Sequence, residues 1–498
     1  EIGHPKVGMQ TSNNEKYLRT WWEVPDEEFG GSSESLIWIK YLKGGDYRRW
    51  YGNLVFLLHY NQNREYILRQ KNARVLDLEF LNKRKCTWTD LTSGTASFRY
   101  APEDTFYDIS GHCFFPSEED QLYLLGYANT TFVGMMKKVF NSSFHFQVGD
   151  LAKIVVPNVS SDQKAYVSSI SEKCVNLSRK DWDSIETSWD FTELPLVKAA
   201  ANSNLHQAYE HWKQECNDRF FQLKANEEEL NRVFAEIYGM QDEVTIEVPL
   251  DKVSVHYVVD AMGDLPESWG STSYVRTKRD EVVSFISYSI GCMMGRYSLD
   301  KPGLILANQG DGLKEYLEQV SNPTFAPDAD GIIPFTDVEY FHDDATGLFV
   351  DFIRTAFGEE NLEQNLQFVA DALGGSGTPR QVIREYFRND FFADHCKTYS
   401  VQSAGKRPIY WLFDSGKKGG FRALFYMHRY TPDLLARLRT EYVHPQQERY
   451  RTQIAHIDEA MATANKREQA ALKKQRKKLS EQLEEITGSS ELSVVGGI

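Results

Sequence analysis

The pattern that most restricts this chain is a run of bulky side chains at helical spacing. Leu205, Tyr209, Trp212, Cys216, Phe220, Leu223, Leu230, Phe234 and Ile237 recur at steps of three, four or seven, and Gly239 supplies a stop. At about 1.5 Å per residue the pattern predicts a helix roughly 50 Å long. Its apolar seam must be covered. The segment from Arg449 to Ile486 offers a partner, because Ile454, Ile457, Met461, Leu472, Leu479, Leu483 and Ile486 form an intermittent seam of their own. A chain of 498 residues also exceeds one core, so several domains are expected.

Ahead of the long helix the pattern changes. Residues 1–35 read as a connector, with Trp21 and Trp22 as core anchors and an acidic, then Gly/Ser-rich stretch from Asp26 to Ser35. Residues 36–158 read as one α/β unit. Strand-like runs fall at Leu36–Leu42, Leu54–Tyr60, Phe98–Tyr100 and Phe106–Ile109, with helices over Arg64–Leu81 and Gln121–Phe140 and an extended close from Phe144 to Val156. Residues 159–245 make a helical spacer containing the long helix. A third region, 246–442, mixes helices with a hairpin of Ile409–Phe413 and Phe421–Met427; residues 443–487 form one long C-terminal helix and 488–498 a tail. The expected fold class is therefore an α/β domain followed by a mostly α-helical spacer and a C-terminal α+β region with long helices.

The densest candidate for a binding surface is Lys43-Gly44-Gly45-Asp46-Tyr47-Arg48-Arg49-Trp50-Tyr51-Gly52-Asn53. Glycines at both ends free the backbone to turn. Guanidinium groups can fork onto phosphates or guanine edges, and aromatic faces can stack on bases. The alternative is a hairpin with core aromatics and solvated arginines. Formal charge is −15 over the whole chain, yet Leu36 to Tyr100 holds twelve Lys/Arg against five Asp/Glu, a local balance of +7. A basic face in an acidic protein suits a polyanion. Lys43, Arg48, Arg49 and Arg99 are the expected DNA contacts, with Asn53, Thr92 and Ser93 as polar candidates. Lys417 and Lys418, in the glycine-rich tip Ser415–Gly420, are expected to approach a phosphate backbone. The run from Lys473 to Lys478 reads as a solvated helix face.

Other chemistry is missing from the sequence. There is no G-x-x-x-x-G-K-[ST], no G-x-S-x-G, no H-E-x-x-H and no EF-hand loop. Acid pairs such as Asp343-Asp344 read as solvated loops. Asn322-Pro323-Thr324 fails the N-P-P-[YF] pattern that holds a flipped adenine, and no glycine-rich turn for S-adenosylmethionine is visible. No catalytic, cofactor-binding or metal-binding residue is assigned. Six scattered cysteines without a C-x-x-C pair fit a reducing cytosol, and no apolar run is long enough to span a membrane.

Several strings are more specific than composition. Gly8-Met9-Gln10-Thr11-Ser12-Asn13-Asn14, Lys16 to Val24, Lys43 to Asn53, Asp181 to Phe191, Lys224 to Asn231, Ile286 to Asp300 and Arg407 to Lys418 resemble the region after the catalytic domain of the PglX family, the adenine-specific DNA methyltransferases of BREX phage defence. Gln147 to Leu151 resembles, more weakly, the close of a type I specificity-subunit target-recognition domain. The resemblance implies that 36–158 is a target-recognition domain. It also implies that S-adenosylmethionine and the N6-methylating machinery belong to an N-terminal domain absent from this chain, which opens at Glu1 and reads as a fragment. Its implied partners are double-stranded DNA, that methyltransferase domain, other BREX proteins and phage proteins that imitate DNA; no membrane is expected. A structural module that docks defence proteins without reading bases is the competing expectation. An independent nuclease or methyltransferase is disfavoured by the missing motifs.

Overall fold

A computed structural model describes residues 3–29, 37–60, 63–76, 78–91, 97–199, 203–488 and 494–495. It divides into two units, one of residues 1–195 and 207–281, the other of residues 196–206 and 282–498.

The first unit holds two four-stranded sheets. One has strands β1 (Gly3–Lys6), β8 (Cys113–Pro116), β5 (Lys85–Trp88) and β6 (Phe98–Ala101) in that order, all antiparallel. The other runs β2 (Leu18–Thr20), β4 (Phe56–His59), β3 (Trp38–Leu42), β7 (Thr105–Tyr107), with only the β3–β7 pair parallel. Strands thus fall at each expected run, shortened at 54–60, one residue longer at 98–100, and shifted toward the N-terminus at 106–109, while Leu36 of the first run lies outside the described residues; β1, β2, β5 and β8 were not anticipated. β5, Lys85-Cys86-Thr87-Trp88, does alternate polar and apolar residues, but over only four positions, and all four are buried. Trp21 and Trp22 are core residues as expected.

Helices differ in detail from the sequence pattern. Gln121–Phe140 is two helices, α1 (Gln121–Ala128) and α2 (Thr131–Phe140), because the Thr130 hydroxyl caps α2 at the Val133 amide. Of the expected Arg64–Leu81 helix, Arg64–Leu68 forms an α-helix and Leu78–Phe80 a single 3-10 turn, and Phe144–Val156 contains a helical turn at Val148–Leu151. Helix α3 spans Ser161–Trp182 behind a Ser160/Gln163 capping box, and α4 spans Leu205–Tyr238. Two further strands, β9 (Tyr257–Val259) and β10 (Val275–Thr277), pair in parallel.

One core unites what the sequence divided into three domains. Trp88, Phe98 and Phe114 of the first sheet, Val167 and Cys174 of α3, Phe220, Leu223, Leu230 and Phe234 of α4, and Val248, Val253 and Trp269 beyond it share a single buried cluster. The boundaries drawn at 158/159 and 245/246 therefore cut through a core. Within this unit the seam of α4 shares its buried cluster with α3, the first sheet and the 244–275 stretch.

The second unit begins along α5 (Lys278–Met293) and continues with α6 (Ala345–Phe357), α7 (Leu362–Leu373), α8 (Pro379–Asn389) and α9 (Phe391–Thr398). Thr378 caps α8, with Pro379 in its first turn, where a proline's missing N–H costs nothing. An antiparallel sheet orders β11 (Ile332–Pro334), β13 (Arg422–Tyr426), β12 (Tyr410–Asp414) and Val494–Val495. The expected single C-terminal helix is a hairpin of α10 (His444–Thr463) and α11 (Lys466–Gly488). Asn465 breaks it: its Oδ1 accepts from the Arg467 and Glu468 amides at 3.0 Å each, and Glu468 accepts from the Asn465 amide at 3.0 Å. Ile457, Leu479 and Ile486, with Ile454, Met461, Leu472 and Leu483 at the edge, form the seam between the two arms. No described helix is long and apolar enough to cross a membrane.

Candidate nucleic-acid interface

The segment Lys43–Asn53 turns its two arginines inward. Arg48 and Arg49 are each 3% exposed. Arg48 Nη2 donates to Asp181 Oδ2 at 2.7 Å and its Nε to the Tyr51 carbonyl at 2.8 Å, while its guanidinium lies over the rings of Trp182 and Tyr274. Asp181 also accepts from the His256 amide at 2.9 Å and pairs with Arg219 at 3.6 Å. Burial alone would raise this carboxyl; His256, Arg48 and Arg219 outweigh it and hold Asp181 well below the usual carboxylate range. Arg49 Nη1 and Trp50 Nε1 donate to the two oxygens of Glu227, at 3.1 and 2.6 Å. Burial leaves Glu227 above its ordinary value in spite of Arg49 and Trp50.

The glycines serve this inward turn. Gly52 has φ +122°, and a Cβ there would lie 2.5 Å from Arg48 Nε and 2.8 Å from the Trp182 ring. Only a hydrogen at that position lets Arg48 reach past to Asp181. Trp50 and Asn53 also have positive φ, 70° and 58°. Asn53 holds the turn by donating to the Asp46 carbonyl at 2.9 Å.

Arg99 is 1% exposed and donates to the Arg48 carbonyl at 3.0 Å and to Thr89 Oγ1 at 3.2 Å. The expectation that Arg48, Arg49 and Arg99 present their charge to DNA is corrected: each is spent inside the unit, because buried guanidinium groups need acceptors at hand. Lys43 is half-buried, its ammonium 5.4 Å from the centre of the Phe56 ring. Lys43 and Asn53 are the members of the segment's candidate set that keep access to solvent. Thr92 and Ser93 lie outside the described residues.

At the entrance to that 92–96 stretch the sequence reading missed an apolar feature. Leu91 bridges to His145, and Leu91 and Phe144 are 63% and 65% exposed. Asp90 fixes His145 through a 2.7 Å contact to Nδ1. A run such as Phe144-His145-Phe146 does not say which ring is buried; Phe146 is, and Phe144 is not.

The hairpin tip in the second unit is occupied by the protein's own anion. Glu485 of α11 accepts from the Lys418 amide at 2.7 Å, the Ser415 hydroxyl at 2.9 Å and the Gly420 amide at 3.1 Å, and Lys418 Nζ pairs with Glu481 at 2.8 Å. The tip does bind a carboxylate with its backbone, as a phosphate-approaching loop would, but the carboxylate is internal. Lys418 is thereby corrected to a tether of the hairpin; Lys417 remains exposed.

Two other places invite a ligand. A cavity of about 640 Å³ in the first unit is lined by Gly3, Pro5, Phe114, Leu124, Tyr127, Val133 and Ile154 among others, with no carboxylate among its described walls. In the second unit Asp328, Asp330 and Asp343 bring carboxylate oxygens within 4.8 Å of one another, a set that could hold a divalent cation. The Tyr442 hydroxyl lies 2.9 Å from Asp330 and 2.6 Å from Asp343, and Arg437 pairs with Asp330 at 3.2 Å. Burial and the neighbouring Asp330 push Asp328 up to about 7. The reading of Asp343-Asp344 as a solvated loop is corrected, since they are 4% and 1% exposed; Asp344 caps α6 and pairs with Arg384 at 3.2 Å.

Comparison with known proteins gives the class first: the chain is similar to adenine-specific methyltransferases. It is 35% identical to the adenine-specific methyltransferase PglX of Lacticaseibacillus casei (strain Zhang), over 97% of this chain and 39% of that protein. To the adenine-specific methyltransferase BrxX of Escherichia coli O9:H4 (strain HS) it is 32% identical, over 96% of this chain and 40% of that protein. The chain is thus homologous, along nearly its whole length, to a part of PglX and BrxX that makes up about two fifths of them. No family model matches it. Among solved structures, the type IIL restriction-modification enzyme MmeI in complex with DNA aligns with 49% of this chain and 34% of its own at 10% identity and a TM-score of 0.32, too low to assign a fold.

Proposed function

We propose that this chain is the duplex-recognising, C-terminal portion of an S-adenosylmethionine-dependent N6-adenine DNA methyltransferase of a BREX phage-defence system. The observation that carries the reading is the match of nearly the whole chain to under half of PglX, in a stretch that contains no N-P-P-[YF] motif. A methyltransferase that extrudes a base needs a second body to hold the duplex and read its sequence. In this reading Lys43 and Asn53 face the DNA, Thr92 and Ser93 supply polar contacts to it, and the exposed Leu91 and Phe144 act as apolar wedges of the kind that lean on bases. Arg48, Arg49 and Arg99 hold that surface in shape from within. Methyl transfer and S-adenosylmethionine binding reside in polypeptide outside this chain, and DNA-imitating phage proteins would compete for the same face.

Fluorescence anisotropy with labelled duplex tests this. The chain alone is expected to bind, with log K falling linearly against log salt, and to transfer no methyl group from S-adenosylmethionine. Lys43→Ala with Asn53→Ala is expected to weaken binding by about 1–3 kcal/mol per lost base contact. A flat salt response from the chain would favour the alternative, a docking module for other defence proteins, which the inward-facing arginines already support.

A further inference from the structure

The outer face of α11 combines a charge pattern and an exposure that neither the family likeness nor the first unit accounts for. At about 100° per residue, Lys466, Arg467, Lys473, Lys474, Lys477 and Lys478 fall within an arc of roughly 140°, and all six are exposed. Of the residues between them in sequence only Ala470 falls on that arc, with Ala471 just beyond its edge, so from Lys466 to Lys478 the strip carries no acid and no large apolar group. The opposite side of the helix is used up: Leu472, Leu479, Leu483 and Ile486 pack in the seam. Arg476, on the flank, is held by both oxygens of Asp458 at 2.6 and 3.1 Å. Lys477 has a long contact of 3.9 Å to Glu481. Among the described residues the other five have no carboxylate partner.

We propose that this strip binds the phosphodiester backbone of duplex DNA, without regard to sequence. The inference rests on the reading above that the chain holds DNA, and adds a second, backbone-only contact surface in the other unit. The i, i+4 pairs Lys473/Lys477 and Lys474/Lys478 place ammonium groups about 6 Å apart along the helix, close to the spacing of successive phosphates. Long lysine stems can adapt to a backbone but supply no planar fork for base edges. The absence of apolar groups on the strip removes the anchor that a helix lying on a membrane needs.

The test uses the full chain and mixed-sequence duplex. Replacing Lys473, Lys474, Lys477 and Lys478 together by Gln is expected to make the log K against log salt slope shallower by about two to four, near one per lost phosphate, and to weaken low-salt binding by about tenfold or more. Lysine acetylation footprinting on the unaltered chain, which needs no variant to fold, should show these four lysines protected by DNA. Polyglutamate at equal charge should displace the duplex poorly. An unchanged slope together with unprotected lysines, while the unaltered chain binds, overturns the strip and leaves the proposed function standing. No duplex binding by the unaltered chain overturns both. Equal displacement by polyglutamate overturns the choice of a nucleic acid as the partner.

Discussion

In the segment from Lys43 to Asn53, two adjacent arginines are 3% exposed and each meets a carboxylate, whereas on α11 four lysines in a run of six residues stand in solvent with almost no partner. The two stretches look alike on paper in that both are basic, yet the first was read as a candidate for a polyanion and the second as a solvated helix face. They differ in their neighbours. Around Arg48 and Arg49 stand Trp50, Tyr51 and glycines, groups that let a chain fold back on itself, and acids far along the sequence at Asp181 and Glu227 receive the charge. Around Lys473 there is only a helix whose apolar side already faces another way. The comparison teaches that a cation flanked by aromatics and glycines is as well suited to an interior knot as to a ligand, and that burial tells the two apart.

The comparison breaks most visibly at Glu227. Glu227→Ala strands Arg49 and the Trp50 indole in the core and is expected to cost about 3–5 kcal/mol, the usual loss when one partner of a buried pair is removed; urea unfolding measures it, and a loss below about 1 kcal/mol would mean that the knot does not hold the unit together. Next in size is Gly52→Ala. A methyl group at positive φ against Arg48 should cost about 1–3 kcal/mol and weaken the Arg48–Asp181 pair with it.

A pH titration sharpens the contrast between buried and exposed charge. Asp328 sits at about 7, above its value in an unfolded chain, so the folded state holds its proton more tightly. The stability this provides is complete below the unfolded carboxyl pKa and is lost as pH rises through about 7. Unfolding midpoints between pH 5 and 8 should therefore fall more steeply for the unaltered chain than for Asp328→Asn. Smallest of all is the effect on stability of the four Lys→Gln changes on α11: each is expected to stay within about 0.5 kcal/mol, although together they should impair DNA binding.

What could be read beforehand followed local rules. The long α4, the Thr378–Pro379 helix start, the β12–β13 hairpin and the burial of Trp21 and Trp22 each depend on spacing or on neighbours a few residues away. The split at Asn465 was legible too, as an Asn-x-x-Glu capping signal, but the apolar seam running on both sides of it hid the break. Strand β5 was hidden for another reason: its alternation, Lys85-Cys86-Thr87-Trp88, lasts only four residues and follows the charged run Lys83-Arg84, and the burial of Lys85 and Thr87 depends on the fold. For the candidate site, Lys43, Asn53 and Lys417 keep solvent access, while Arg48, Arg49, Arg99 and Lys418 do not have their charge free.

The order of residues alone settled that this protein is rich in helix, lacks a run able to span a membrane and shares ancestry with part of PglX and BrxX, because periodicity, hydropathy and identity are properties of the string. Tertiary structure decided which charges are available. Arg48 meets Asp181 across 133 positions and Arg49 meets Glu227 across 178. Such pairings come from packing two distant segments into one core, and a guanidinium group taken out of water is held by whichever carboxylate the fold brings to it.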